Sequence, residues 1–243
     1  MKAIILAAGY ATRLYPLTRD TPKMLLEVGG RPIVDWVLDA LGTIDELDAT
    51  YVVTNARFAP QLEGWAPEGV SVVNDGTETD ETRLGAIGDI GFVLDRERIE
   101  DDIVVVAGDN LFTSPLEGFA AFARDRNAPV LAVHDVGDPA LMPKYNTVEV
   151  DGDGRITYFE EKPRQARSTL AGIAIYFYPS GVLPLIRQYL DKGNNPDQPG
   201  RLVQWLYPRM PFYVWELPGK WYDIGALDQL EEARADFASD SAR

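Results

Sequence analysis

Four short aliphatic runs, each breaking off at a small or polar residue, constrain this chain more than any other feature. AIILAA (3–8), ATYVVTN (49–55), GVSVVND (69–75) and DIVVVAGDN (102–110) are of strand length and nearly continuous in apolar side chains. A strand that is apolar on both faces must be covered on both faces. A parallel sheet with crossover helices does that. The intervening IVDWVLDAL (33–41), with apolar residues three and four apart, and LGAIGDIGFVL (84–94) read as such helices. Open sheets of this kind bind ligands beyond the carboxyl ends of their strands. GYATRL and AGDN fall at those ends.

The second half changes character. PVLAVHDV, YNTVEVDGDGRITYFEEKP and LAGIAIYFYP read as alternating strands, with DGDG (151–154) as a hairpin turn. A helix (181–191), a polar loop KGNNPDQPG (192–200), a second helix and the strand PFYVWEL follow. The fold class expected is α/β: a Rossmann-like core with a mixed, mainly parallel central sheet and a small antiparallel extension. Residues 1–243 are expected to form one domain, with a core over 1–130 and an extension over 131–243.

Composition excludes several classes. A net charge of −15 opposes nucleic-acid binding, which needs clustered cations. It leaves room for a small phosphorylated ligand held by a few placed ones. No apolar run reaches the ~18 residues that cross a bilayer, and MKAIILAAGYATRL reads as a first strand rather than a secretory signal. The absence of cysteine removes disulfides, thiolate metal sites and cysteine nucleophiles, and fits a cytoplasmic protein. A homo-oligomer is compatible with all of this. His134, the single histidine, sits within an apolar strand and reads as structural.

The chemistry concentrates in LAAGYATRLYPLTRDTPKMLLEVGGRPIVD (6–35). Small residues Ala7, Ala8, Gly9 and Ala11 after a strand let backbone N–H groups approach phosphates. Arg13 and Lys23 add fixed positive charge, and Pro16 and Pro22 stiffen the loop between them. Charge grows on departing pyrophosphate during nucleotidyl transfer, so such a loop stabilises that transition state.

This string resembles the signature of the sugar-phosphate nucleotidyltransferases, and within them the glucose-1-phosphate thymidylyltransferase branch, which reads GxGTRLxPLTxxxPKxLLPVxxKP. The likeness continues in AGDN (107–110), FEEKP (159–163) and GKWYDIG (219–225), in the same order, and so spans nearly the whole chain. Ala11 stands where the second glycine is usual, Glu27 where proline is frequent, and Asn146 where YGVVE is usual. These departures bear on substrate identity more than on reaction type.

The resemblance implies a GT-A-like nucleotidyltransferase fold, with 1–130 as nucleotide-binding core and 131–243 as acceptor-binding extension and closing metal-ligand segment, and a set of site residues. The nucleotide falls to Leu6, Ala8, Gly9, Ala11, Thr12, Arg13, Lys23, Asn74, Gly76 and Arg83. The acceptor falls to Asn110, Tyr145, Asn146, Glu161, Lys162 and Gly172, with Lys162 on its phosphate and Glu161 on a sugar hydroxyl. Asp109 and Asp223 are the carboxylates for Mg²⁺, which takes one or two of them together with substrate phosphates and water. An aspartate at a strand end can equally cap a helix, and Lys162 can equally neutralise Glu160 and Glu161. Asn74, able to donate and accept, is the base reader expected, for UTP or dTTP ahead of CTP. Arg201 and the 192–200 loop are assigned to the acceptor side or to a subunit contact.

The reaction implied is in-line attack of an acceptor phosphate oxygen on the α-phosphate of a nucleoside triphosphate. The catalytic group is Arg13, Lys23, Asp109 and Lys162, and the partners are the triphosphate and a phosphorylated small molecule. Three alternatives stand beside it: a cytidylyltransferase acting on a phosphocholine or phosphonate, a dinucleotide-binding oxidoreductase, and a non-catalytic regulatory homologue. GYATRL lacks the G-x-G-x-x-G spacing that the oxidoreductase requires. With GKWYDIG close to the end of this sequence, no appended acyltransferase-type repeat domain is expected.

Overall fold

The computed structural model describes residues 1–240. In chain order the first half runs β1 (Lys2–Leu6), β2 (Glu27–Val28), β3 (Arg31–Pro32), α1 (Ile33–Leu41), β4 (Ala49–Thr54), α2 (Ala59–Trp65), β5 (Val70–Asn74), α3 (Ala86–Arg96), β6 (Ile103–Ala107), β7 (Asn110–Phe112) and α4 (Glu117–Arg126). The second half runs β8 (Val130–Asp135), β9 (Asn146–Val150), β10 (Ile156–Glu161), β11 (Leu170–Tyr178), α5 (Leu183–Asp191), α6 (Pro199–Leu206), β12 (Tyr213–Glu216), β13 (Trp221–Asp223) and α7 (Leu227–Asp240). The sequence reading passes over α2 and α4. The first is seven residues with a proline in its first turn, and the second buries mainly Phe119, Ala120 and Ala123, a stripe too small-sided to stand out.

Seven strands form one sheet in the order β12-β8-β11-β6-β1-β4-β5. β1 lies parallel to both β4 and β6, while β11 runs antiparallel to β6 and β8. The sheet is therefore mixed and mainly parallel. Strands from the second half join the same sheet as β1, so no break in the core falls at residue 130.

The period-2 alternation of a strand assigns each side chain to one face. Ile4 and Val105 pack with Ile87, Ile90, Ile186 and Leu202 beneath α3, α5 and α6. Their neighbours Ile5, Val104 and Val106 pack with Val34, Val37, Leu62 and Phe119 beneath α1, α2 and α4. Each such side chain contributes about 1.5–3 kcal/mol on leaving water, which is why these strands tolerate no charge on either face. A third cluster of Leu14, Leu26, Val28, Ile33, Ile224, Leu230 and Phe237 fastens the loop after β1 to α7. No helix among the described residues is long and apolar enough to cross a membrane.

Candidate active site

β1 and β6 end side by side at the middle of the sheet, and a cavity of about 510 Å³ opens over their carboxyl ends. Its first wall is the loop after β1. Thr54 and Asn55 donate to the carbonyls of Ala7 and Ala8 at 3.2 and 2.9 Å, and Thr18 donates to that of Ala11 at 2.7 Å, which fixes the loop's course. Leu6, Ala8, Gly9, Ala11, Thr12, Arg13 and Lys23 all line the cavity. Ala11 holds the left-handed conformation, φ 48°, which explains why a glycine suits this position.

Asp109 follows β6 on the opposite side of the loop. The Lys23 ammonium donates to its Oδ2 at 2.7 Å, and the Asn110 amide to its Oδ1 at 3.1 Å. Burial alone would raise the Asp109 pKa, but the Lys23 charge outweighs it and holds the carboxyl below its ordinary range. Asp223 arrives on β13, which pairs antiparallel with β7 so that Asp223 faces Asn110. Burial first, then the negative charge of Asp109, push Asp223 up to about 6, against the pull of Lys23 and Arg13. Two carboxylates more than a hundred residues apart in sequence are thus brought close enough to repel.

The second wall comes from β9, β10 and β11. Tyr145, Asn146, Glu161, Lys162 and Gly172 line it. The Asn146 carboxamide bridges to the Gly172 backbone, accepting from its N–H at 2.6 Å and donating to its carbonyl at 3.1 Å. Asn110 is similarly occupied, between Asp109 and the Trp221 indole. Both amides therefore shape the cavity with their polar atoms already engaged. Glu161 packs against Gly200, and burial pushes its carboxyl up to about 7, only partly offset by Lys162 and Arg201. Arg201 itself is not in the lining; it donates to Gln198. Of the five non-glycine residues with positive φ among those described, Ala11, Lys162 and Ala174 all line this cavity. Ala174 lies in a register shift of β11 between Gly172 and Tyr176. Strained backbone concentrates where side chains must be aimed at a ligand.

The third wall differs from expectation. Asn74 and Gly76 lie outside the cavity lining, because the Asn74 carboxamide turns back to accept the Gly76 N–H at 2.8 Å. This wall is built instead by Asp80, Arg83, Gly85, Ala86 and Asp89. Arg83 joins Asp80 to Asp197, and Asp197 and Pro196 accept from the first N–H groups of α3 at 3.3 and 2.8 Å. Gly85 is required here: its φ is +80°, and a Cβ would come within 2.7 Å of the Pro196 oxygen. The 192–200 loop therefore packs on the start of α3 and closes the cavity through Asp197, Gln198, Pro199 and Gly200.

Sequence reasoning missed Asp80, Asp89, Lys144, Tyr176 and Trp221 among the lining residues. One signal was available, since Asp89 stands four residues before Val93 on the apolar stripe of α3. Burial, and then the neighbouring Asp75, raise Asp89 to about 8. Asp75 Oδ2 and Asp89 Oδ1 are both buried with no hydrogen-bond partner among the described residues, surroundings that favour the protonated form of Asp89. Asp89 thus takes up a proton on folding between its ordinary pKa of 3.8 and about 8. Its contribution to stability declines as pH climbs through that interval and is lost above it. Asp89→Asn keeps the donor without the titration, so the variant should be more stable than wild type at the alkaline end and lose this slope. Urea unfolding at several pH values checks it, and parallel stability curves for the two proteins would rule out a buried proton on Asp89.

The profile of the family described as nucleotidyl transferase matches residues 2–240. The chain is 29% identical over 240 residues to a glucose-1-phosphate thymidylyltransferase of Streptomyces antibioticus, covering 96% of this chain and 65% of that protein. It is 27% identical over 249 residues to a UTP–glucose-1-phosphate uridylyltransferase of Synechocystis sp., covering 96% and 62%. The chain thus spans a little under two thirds of the length of these relatives. Among solved structures, a Bacillus anthracis protein assigned as a glucose-1-phosphate thymidylyltransferase, in complex with a sucrose, superimposes with a TM-score of 0.86 at 25% identity. That match covers 98% of this chain and 95% of the other.

Proposed function

Because this chain belongs to the nucleotidyl transferase family, we propose that it transfers the nucleotidyl group of a nucleoside triphosphate to a sugar 1-phosphate, releasing pyrophosphate. One observation carries the reading. Arg13, Lys23, Asp109, Lys162 and Asp223, scattered along the sequence, line a single cavity, where Arg13, Lys144 and Lys162 have no ion pair among the described residues. Cations held out of close ion pairs in a chain of net charge −15 suit an anionic ligand.

The two walls divide the labour. The loop after β1 takes the triphosphate, with Arg13 and Lys23 stabilising the charge that grows on departing pyrophosphate. Lys162 holds the acceptor phosphate, whose oxygen is ionised near neutral pH and attacks the α-phosphate without a general base. Glu161, raised to about 7 by burial, is suited to receive a sugar hydroxyl. UTP or dTTP is the proposed donor, by likeness to the relatives, with the base against the wall of residues 80–89.

Asp109 and Asp223 fit Mg²⁺. Their donors are oxygen only, and burial together with repulsion from Asp109, which raise Asp223 to about 6, are what a dication would offset. No cluster of three or more His, Cys, Asp or Glu among the described residues is arranged to hold a metal, so phosphate and water would complete the shell. When bound, the ion would neutralise charge on the phosphates during transfer.

The test is pyrophosphate release across a matrix of triphosphates and phosphorylated acceptors with Mg²⁺ present. Turnover is expected with a hexose 1-phosphate and UTP or dTTP. Turnover confined to CTP with phosphocholine or a phosphonate would replace this reading with the cytidylyltransferase one, and no turnover with any pair would favour the regulatory one.

A further inference from the structure

We propose that an open groove behind Lys162 is an outer docking site for the acceptor's phosphate, in which Arg164 and Arg167 receive that dianion before it passes to Lys162. The groove is lined by Tyr158, Glu160, Lys162, Arg164 and Arg167, and Lys162 also lines the main cavity. One lysine therefore borders both, and an anion leaving the groove has only that residue to pass.

The groove's charges are arranged to stay available. Arg164 has no carboxylate within 4 Å among the described residues, and Lys162 has none either. The Arg167 guanidinium lies over the Tyr158 ring at 3.7 Å, and its only ion pair is a loose one of 3.9 Å to Glu149. Stacking fixes the direction of a guanidinium without neutralising it. Glu160, the one acid in the lining, accepts a 2.6 Å hydrogen bond from the Tyr158 hydroxyl. Three cations against one acid stand together in a chain with 38 acidic and 23 basic residues.

That contrast gives the groove its role. A chain of net charge −15 repels a dianion at long range, and a local positive groove leading to the site offsets the repulsion on that approach. The triphosphate is received on the other wall by Arg13 and Lys23, so the groove serves the acceptor alone.

The proposal rests on the reading of the site as a nucleotidyltransferase acting on a sugar 1-phosphate, and two measurements separate the fates of the two. The first compares wild type with the double variant Arg164→Gln/Arg167→Gln in steady-state kinetics. The acceptor's KM should rise about tenfold at low ionic strength, with kcat and the triphosphate's KM retained. The difference should shrink toward about twofold near 0.5 M salt, as screening removes it. The second measures inorganic phosphate binding by calorimetry with no turnover, where the double variant should bind several-fold more weakly. Arg164→Lys/Arg167→Lys should restore both properties, since the charge rather than the guanidinium shape is what matters. Failure of wild type to use any sugar 1-phosphate overturns the functional reading, and the phosphate titration then decides the groove. An unchanged acceptor KM or an unchanged phosphate affinity in the glutamine variant overturns the groove itself.

Discussion

Asp109→Asn should lower turnover by roughly a hundredfold or more at saturating substrates and ordinary Mg²⁺, with the fold retained. Asparagine keeps the shape of the side chain and its contact with Asn110 but removes the anion that Lys23 and a metal both address. The carboxylate is a little over a third exposed toward the cavity, so loss of the Lys23 pair is screened and the stability change should be small. Asp223→Asn should fail similarly, through the same lost oxygen donor. Its wild-type pKa of about 6 adds a sign that can be checked: activity should fall as pH drops through about 6, where Asp223 takes a proton. Raising Mg²⁺ should recover part of the activity lost at low pH, because the metal competes with that proton. Undiminished turnover of Asp109→Asn would remove this residue from the metal site.

Lys23 and Lys162 should fail in different ways, although both are lysines in one cavity. Lys23→Ala should lower kcat by about two to three orders of magnitude, as loss of a contact made mainly in the transition state does. It also strips Asp109 of the charge that holds its pKa down, so burial is left unopposed and the variant's acid limb should move to higher pH. Lys162→Ala should chiefly raise the acceptor's KM and leave triphosphate binding nearly intact, because it stands on the far wall. Initial rates with each substrate varied, together with a pH profile, distinguish the two. Equal losses of triphosphate affinity in both variants would contradict the division of the cavity into two sides.

The sequence by itself determined the parallel core of the sheet and marked the loop after β1 as a candidate site. Strands β1, β4, β5 and β6 were legible because a strand buried on both faces has to be apolar throughout, and GYATRL and AGDN were legible as a site because they follow such strands directly. Arg13, Lys23, Asp109, Lys162 and Asp223 were picked out one by one as candidates, from local motifs and a family resemblance, and all five line one cavity.

Only the tertiary structure decided what those residues face. Asn74 was the local choice for reading a base, but its carboxamide is captured by Gly76 two residues on, and the wall passed to Asp80, Arg83 and Asp89. A short side chain after a strand satisfies its own backbone before it reaches a ligand, and nothing in the pattern NDG tells the two outcomes apart. The meeting of Asp89 with Asp75, the partnership of Arg83 with Asp197, and the closing of the 192–200 loop all join segments apart in sequence. Their energies depend on burial and separation in space, which no local pattern encodes. The pairing of β13 with β7, which brings Asp223 to Asp109, is of the same kind. Chain order fixes which carboxylates exist, and packing alone fixes that they meet.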